Sequence, residues 1–225
     1  MSEPRLIGPC IIGNQARIDP SVIIGHPSKA SQLSGAELDE SSGAQIGDSC
    51  IIRSNTVIYE DTVLGSGVQT AHNVVIREGV RIGDGCVFGA NACVLDHAIL
   101  GKNVRVMEQS LVCEGAVVGN DVFIAPHVSF TRGRFMLGAF IADGRMTQAE
   151  ADDMERRYAD PGEASVIIGD DVRIGANSVI LAGVKLGKGS IIAAGSVVSL
   201  DIPNNHMFMG NPGRILPTTP PPVKN

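Results

Sequence analysis

Five histidines, a run of spaced carboxylates and five cysteines are the residues of this chain that could do chemistry. His72 stands out because of its setting, GVQTAHNVVI at residues 67–76, where a polar Thr70 interrupts an otherwise apolar pattern two residues earlier. A free imidazole has a pKa of ~6.5 and is mostly an uncharged base near neutral pH, which suits it to accept a proton from an attacking group. Positioned base catalysis of that kind contributes ~10²–10⁴-fold. Glu60, Glu78, Asp96 and Glu114 recur every 18 residues. The cysteines Cys10, Cys50, Cys86, Cys93 and Cys113 are odd in number and form no CxxC pair, which argues against a disulfide framework or a zinc knuckle and for reduced, mostly buried small residues.

The elements that must position these groups follow from a period of six. From Ile46 to Phe130 every sixth residue is apolar except Thr70, and the period returns from Ile168 to Val198 and appears early from Leu6 to Ile24. That makes 25 hexads with 24 apolar leads. Neither a helix nor a simple alternating strand has this period. The fifth residue of each hexad is small or β-branched. The fourth is mostly Gly, Asn or Asp, which adopt positive φ at low cost. Each hexad therefore reads as a short strand and a corner, with the lead and fifth residues inward. His97 and His127 occupy the fourth slot and read as corner residues; His26 and His206 read as solvated. His72 occupies the third slot and should point outward.

This pattern resembles the hexapeptide-repeat acyltransferase superfamily, over about four-fifths of the chain. The resemblance implies a left-handed parallel β-helix, all-β, with three hexads per coil and about eight triangular coils. At ~4.8 Å per coil the prism is roughly 40 Å long. VQTAHNVVI resembles the Ala-His-Asn-Val segment of lipid A N-acyltransferases, in which the matching histidine is the general base. GVQTAHNVVIREGVRIGDGCVFGANA aligns without gaps with the 3-amino-sugar N-acetyltransferases of nucleotide-sugar pathways. Ala71 stands where those carry Trp and Ala90 where they carry Gln, while Asn91 matches. VFIAPHVSFT is similar to the stretch before that family's flap. The resemblance implies acetyl transfer from acetyl-CoA to the amine of an amino sugar, with His72 as base, in a homotrimer with intersubunit active sites. No metal is required by the residues.

Residues 18 apart should stack. His72 then shares a column with Ser54, Ala90 and Glu108, beside a polar ladder of Asn55, Asn73, Asn91, Gln109 and His127. Asn73, Asn91 and Glu108 are thus candidate substrate contacts. For the Glu60–Glu114 column two readings stand: a wet surface, or an acidic stripe facing His72 of the next subunit, with Asp96 on the substrate. For CoA the resemblance implies the C-terminal coils: backbone near Ala176, Ala194 and Gly195, with Lys185, Lys188 and Arg214 toward its phosphates.

The β-helix domain is expected over residues 1–203. Residues 30–45 read as a loop, and residues 131–167 as an excursion with a Thr147–Glu150 capping box and a short helix to about Tyr158. That excursion is either a surface loop or a flap over a neighbouring site. Residues 204–225 read as a C-terminal tail leaving the helix, its Pro-rich end disordered. A net charge of −6 argues against nucleic acid and anionic membranes as partners. No apolar run suits a membrane span and the N-terminus does not read as a signal peptide, so a cytoplasmic setting is expected. Three other functions fit the fold: an O-acetyltransferase of a sugar or antibiotic hydroxyl, a γ-class carbonic anhydrase, and a non-catalytic scaffold. The anhydrase needs a second histidine five residues after His97, where Lys102 stands.

Overall fold

The computed structural model describes residues 3–35, 37, 40–131, 141, 144, 146–150 and 165–216. Short strands, most of two residues, stack into three walls. Wall A runs from Arg5–Leu6 through Val75–Ile76 to Val197–Val198 in nine strands; wall B runs from Ile11–Ile12 to Val184–Leu186 in eight; wall C runs from Arg17–Ile18 through Gln69–Thr70 in ten, ending at Gly213–Leu216. Pairing is parallel, and Val75 meets Val57 on one side and Cys93 on the other, 18 residues away in each case. The chain visits A, B and C in turn, so the prism has edges A–B, B–C and C–A.

Burial explains why six residues make one side. The leads Ile58, Ile76, Val94 and Val112 are fully buried, as are the fifth residues Val68, Val74, Val80 and Ala92. Each buried aliphatic side chain contributes ~1.5–3 kcal/mol. The interior is narrow, and its aromatics are Phe88, Phe130 and Phe208. The fourth residue turns the corner at positive φ, from Ser49 at 55° to Gly195 at 71°. Asp201 is the exception among the expected corner residues. Its carboxylate instead accepts the Lys185 N–H at 2.8 Å.

Three expectations need correction. The coils exceed eight, because the expected tail does not leave the helix at 203. Ile202 bridges Leu186 on wall B, and Met207–Gly210 pairs in parallel with Ile191–Ile192 on wall C. Only Gly213–Leu216 turns back, antiparallel to Met207–Gly210. Phe208 fills the last lead position, 1% exposed, so burying it rewards one more coil. Residues 30–45 are not all loop: a short helix spans Lys29–Leu33, its N-terminus capped by Ser28, whose hydroxyl accepts the Ser31 N–H. The last residues of that range, Gln45–Ile46, already form a strand of wall B. His26 is not simply solvated either; its ring lies 4.8 Å from that of Tyr59.

Both excursions leave from edge A–B, after Ile23–His26 and after Ser129–Phe130, and both rejoin on wall B. Wall order is kept although the period of six is lost across them. The capping box is present: the Thr147 N–H donates to the Glu150 carboxylate at 2.8 Å, and the Glu150 N–H donates to the Thr147 hydroxyl at 3.2 Å. The rest of the expected helix, to Tyr158, and the expected disordered end at 217–225 lie outside the described residues.

Candidate active site on edge C–A

His72 follows Gln69–Thr70 and sits on edge C–A. Two backbone bonds seize its corner. The Asn73 N–H donates to the Ser54 carbonyl below, and the Asn91 N–H donates to the His72 carbonyl above, both at 3.0 Å. Asn73 itself takes φ 59°, which asparagine tolerates. The imidazole is exposed, and it makes no hydrogen bond among the described residues. Its neighbours in the column leave it room: Ala90 above is small, and Ser54 below donates its hydroxyl to Asp19 at 2.6 Å.

Thr70, which interrupts the apolar series, lies inside and is fully buried. Its hydroxyl sits 3.1 Å from that of Thr56, and it accepts the Arg53 N–H at 3.1 Å. Thr56 also reaches the Ala71 carbonyl at 3.3 Å, the residue beside His72. A pair of buried hydroxyls thus braces the turn that carries the imidazole. Sequence reasoning missed the pairing, although Thr56 and Thr70 occupy consecutive inward slots of adjoining coils.

Asn73, Asn91 and Glu108 are all exposed on the same edge as His72. The Asn55 amide donates to the Asn73 side chain at 3.2 Å, so the expected polar ladder is partly formed. Glu108 is two coils above His72, about 10 Å away. Asp96 is elsewhere: with Glu60, Glu78 and Glu114 it lies on edge A–B, at the far side of wall A.

That acidic column is not a uniform wet stripe. Glu60 is 5% exposed and accepts from the Ser28 N–H at 2.7 Å, the Ser31 hydroxyl, and the Ser42 N–H at 3.3 Å. Burial opposes its charge, but these donors outweigh it and hold the carboxyl at about 2. Glu60 therefore clamps the first excursion to the prism. Glu78 is paired in fork fashion with Arg77 at 2.7 and 2.8 Å. Burial again works against the charge, and the Arg77 bonds more than offset it, keeping the carboxyl below its ordinary range. Arg77 also lies over the Tyr59 ring at 4.8 Å.

Of the residues expected toward CoA, Ala176, Ala194 and Gly195 extend edge C–A above His72, and the Gly195 N–H donates to the Ala176 carbonyl at 2.9 Å. Arg214 is on Gly213–Leu216, beyond the last parallel strand of wall C. Lys185 is on wall B, away from that edge. Among the described residues no group of three His, Cys, Asp or Glu is placed to hold a metal ion. All five cysteines are free thiols, and burial pushes the Cys86 thiol up to about 11, away from nucleophile chemistry. No described helix is long and apolar enough to cross a membrane.

The parallel three-walled β-helix with an outward histidine on one edge is the architecture that the hexapeptide resemblance implies. The profile for bacterial transferase hexapeptide (six repeats) matches residues 61–96 and 165–199, about a third of the chain. A stretch of 56 residues is 55% identical to a 2,3,4,5-tetrahydropyridine-2,6-dicarboxylate N-acetyltransferase of Clostridium perfringens, covering 25% of this chain and 24% of that one. The corresponding Staphylococcus aureus protein is 50% identical over 56 residues, covering 25% of this chain and 23% of that one. The chain thus matches about a quarter of the length of these curated relatives. The fold is similar to a UDP-N-acetylglucosamine acyltransferase of Bacteroides fragilis, with TM-score 0.69, 20% identity, and coverage of 96% of this chain and 73% of that one. A UDP-N-acetylglucosamine O-acyltransferase of Moraxella catarrhalis gives TM-score 0.63 at 19% identity, covering 92% and 72%.

Proposed function

We propose that this protein transfers an acetyl group from acetyl-CoA to the amine of an amino sugar, nucleotide-linked, with His72 as general base. One observation carries the reading: a rigidly held corner presents an exposed imidazole with no hydrogen-bond partner among the described residues. In the reaction the amine nitrogen bonds to the thioester carbonyl and gives up a proton to the imidazole. The C–S bond then breaks, and the imidazolium returns that proton to the departing thiolate, giving free CoA and an amide. Holding donor and acceptor together supplies much of the remaining acceleration. Asn73, Asn91 and Glu108 line the acceptor side, and the small residues Ala176, Ala194 and Gly195 suit a pantetheine arm. The curated relatives' names support an amine acceptor. Free cysteines fit a reducing, cytoplasmic setting.

The homotrimer belongs to this proposal. Beyond Arg5, the outward strand positions of wall A are uncharged, including Ile23, Val57, Val75, Leu111, Val179 and Val197. Wall A lies between the His72 edge and the Glu78–Asp96 edge. If three copies turn wall A inward, edge C–A of one meets edge A–B of the next, which brings Asp96 toward the site. Glu78 is a third of a coil above the height of His72, about 1.6 Å, whereas Asp96 is about 6 Å above it.

The test is CoA release from acetyl-CoA over a panel of nucleotide amino sugars, hydroxyl-only sugars and amine-bearing dicarboxylates. We expect an amino sugar to be turned over fastest, and His72→Asn to lose ~10²–10⁴-fold with an unchanged Tm. A hydroxyl-only acceptor turned over better than any amine would replace the reading with O-acetylation.

A further inference from the structure

The proposed chemistry leaves wall C unused, yet that wall carries a groove of about 400 Å³ along its side nearest edge B–C. Arg105, Phe123 and Arg173 stand in its floor, on three successive strands, with Asn103 and Asp121 at its rim. Phe123 is the one aromatic residue at an outward strand position of wall C among the described residues, and it is half-buried; Tyr59 is its counterpart on wall A. Arg105 and Arg173 flank it, one coil to each side, so their backbone positions are about 10 Å apart. Arg173 is fixed by its Nη1, which donates to the carbonyls of Asp121 and Val172. Its Nε and Nη2 make no hydrogen bond among the described residues. The Arg105 guanidinium makes none at all there, although Asp121 lines the same groove. The Asp121 carboxylate is occupied instead by the Asn103 amide at 3.0 Å.

A flat ring between two planar cations, with unfilled donors, suits a ligand that joins an aromatic ring to anionic oxygens. Guanidinium forks match phosphate geometry, and phenyl faces stack on heteroaromatic rings. We infer that this groove binds a nucleoside diphosphate, with its base against Phe123 and its phosphates on Arg105 and Arg173. The floor lies three coils above Gln69, about 14 Å along the axis from the level of His72. A ligand anchored there can therefore extend a reacting group toward edge C–A. The inference rests on the acyltransferase reading for the source of that nucleotide: the acceptor's nucleotide or the nucleotide end of acetyl-CoA.

Calorimetric titration of the full chain with UDP, CoA and inorganic phosphate, for the wild type, Arg105→Ala, Phe123→Leu and His72→Asn, decides it. Both groove residues are on the surface of the wall, so both variants should keep the wild-type Tm. We expect Arg105→Ala to weaken a nucleotide at least tenfold and Phe123→Leu to weaken the same nucleotide severalfold, more than it weakens inorganic phosphate. A loss confined to UDP assigns the groove to the acceptor, and a loss confined to CoA assigns it to the donor. Unchanged affinity for all three probes in both variants, or no binding of either nucleotide to the wild type at millimolar concentration, overturns the inference. His72→Asn should bind as the wild type does while losing turnover. Full turnover in His72→Asn would sink the proposed chemistry without touching the binding result.

Discussion

The two edges that bound wall A are built from the same six-residue rule and use their polar residues in opposite ways. On edge A–B, Glu60 is buried under the first excursion and saturated by serine donors, and Glu78 is locked to Arg77. On edge C–A, His72 is exposed and its ring has no partner among the described residues. An excursion lands on the first edge and needs anchors. Nothing described lands on the second, so its side chains stay available. The location of a carboxylate or imidazole on a repetitive scaffold says less than whether the scaffold has already used its hydrogen bonds.

Four substitutions probe this contrast. Glu60→Gln should have the largest effect. The folded carboxyl titrates at about 2 against an ordinary 4.5, so its stabilisation is present above pH 4.5 and is lost as pH falls toward 2. The shift corresponds to on the order of 3 kcal/mol. Denaturant unfolding should show the variant less stable at pH 7 and with a flatter acid limb between pH 4.5 and 2. An unchanged acid limb would mean that Glu60 is no clamp. Next, Glu78→Gln and Asp96→Asn test whether edge A–B of one copy serves His72 of another. About tenfold lower turnover is expected in at least one, the size of one pKa unit in the imidazole, with a shifted pH–rate profile. Two variants with wild-type turnover would leave that edge purely structural. Thr70→Val should be smallest. It removes the acceptor of the Arg53 N–H from the turn beside His72, costing about 1 kcal/mol, read as a lower denaturant midpoint at constant slope.

Much of the architecture was legible because a parallel β-helix repeats one local decision. An inward lead, an inward fifth residue and a left-handed corner residue can be recognised without long-range information, and nearly every expected corner has positive φ. The outward direction of His72 followed from the same count. What escaped was set by contacts between distant segments. The serines at 28, 31 and 42 converge on Glu60 only after the excursion folds back. Asp201 looked like another corner until the last coil offered it the Lys185 N–H. Ile202 and Phe208 carry apolar identities that a period count discards when the spacing falters, though the core accepts them.

The linear order of residues alone therefore determined the six-residue steps, the inward face of each hexad and the outward direction of His72, because these depend on backbone preference and burial within a few residues. Three steps per coil were implied by the family resemblance. Only the tertiary structure decided which polar groups are already satisfied. It buried Glu60, paired Thr70 with Thr56, and gathered Arg105, Phe123 and Arg173 along one groove. The reason is that hydrogen-bond satisfaction depends on which coils and excursions finally touch, and those partners lie from 14 to 68 residues apart in the chain.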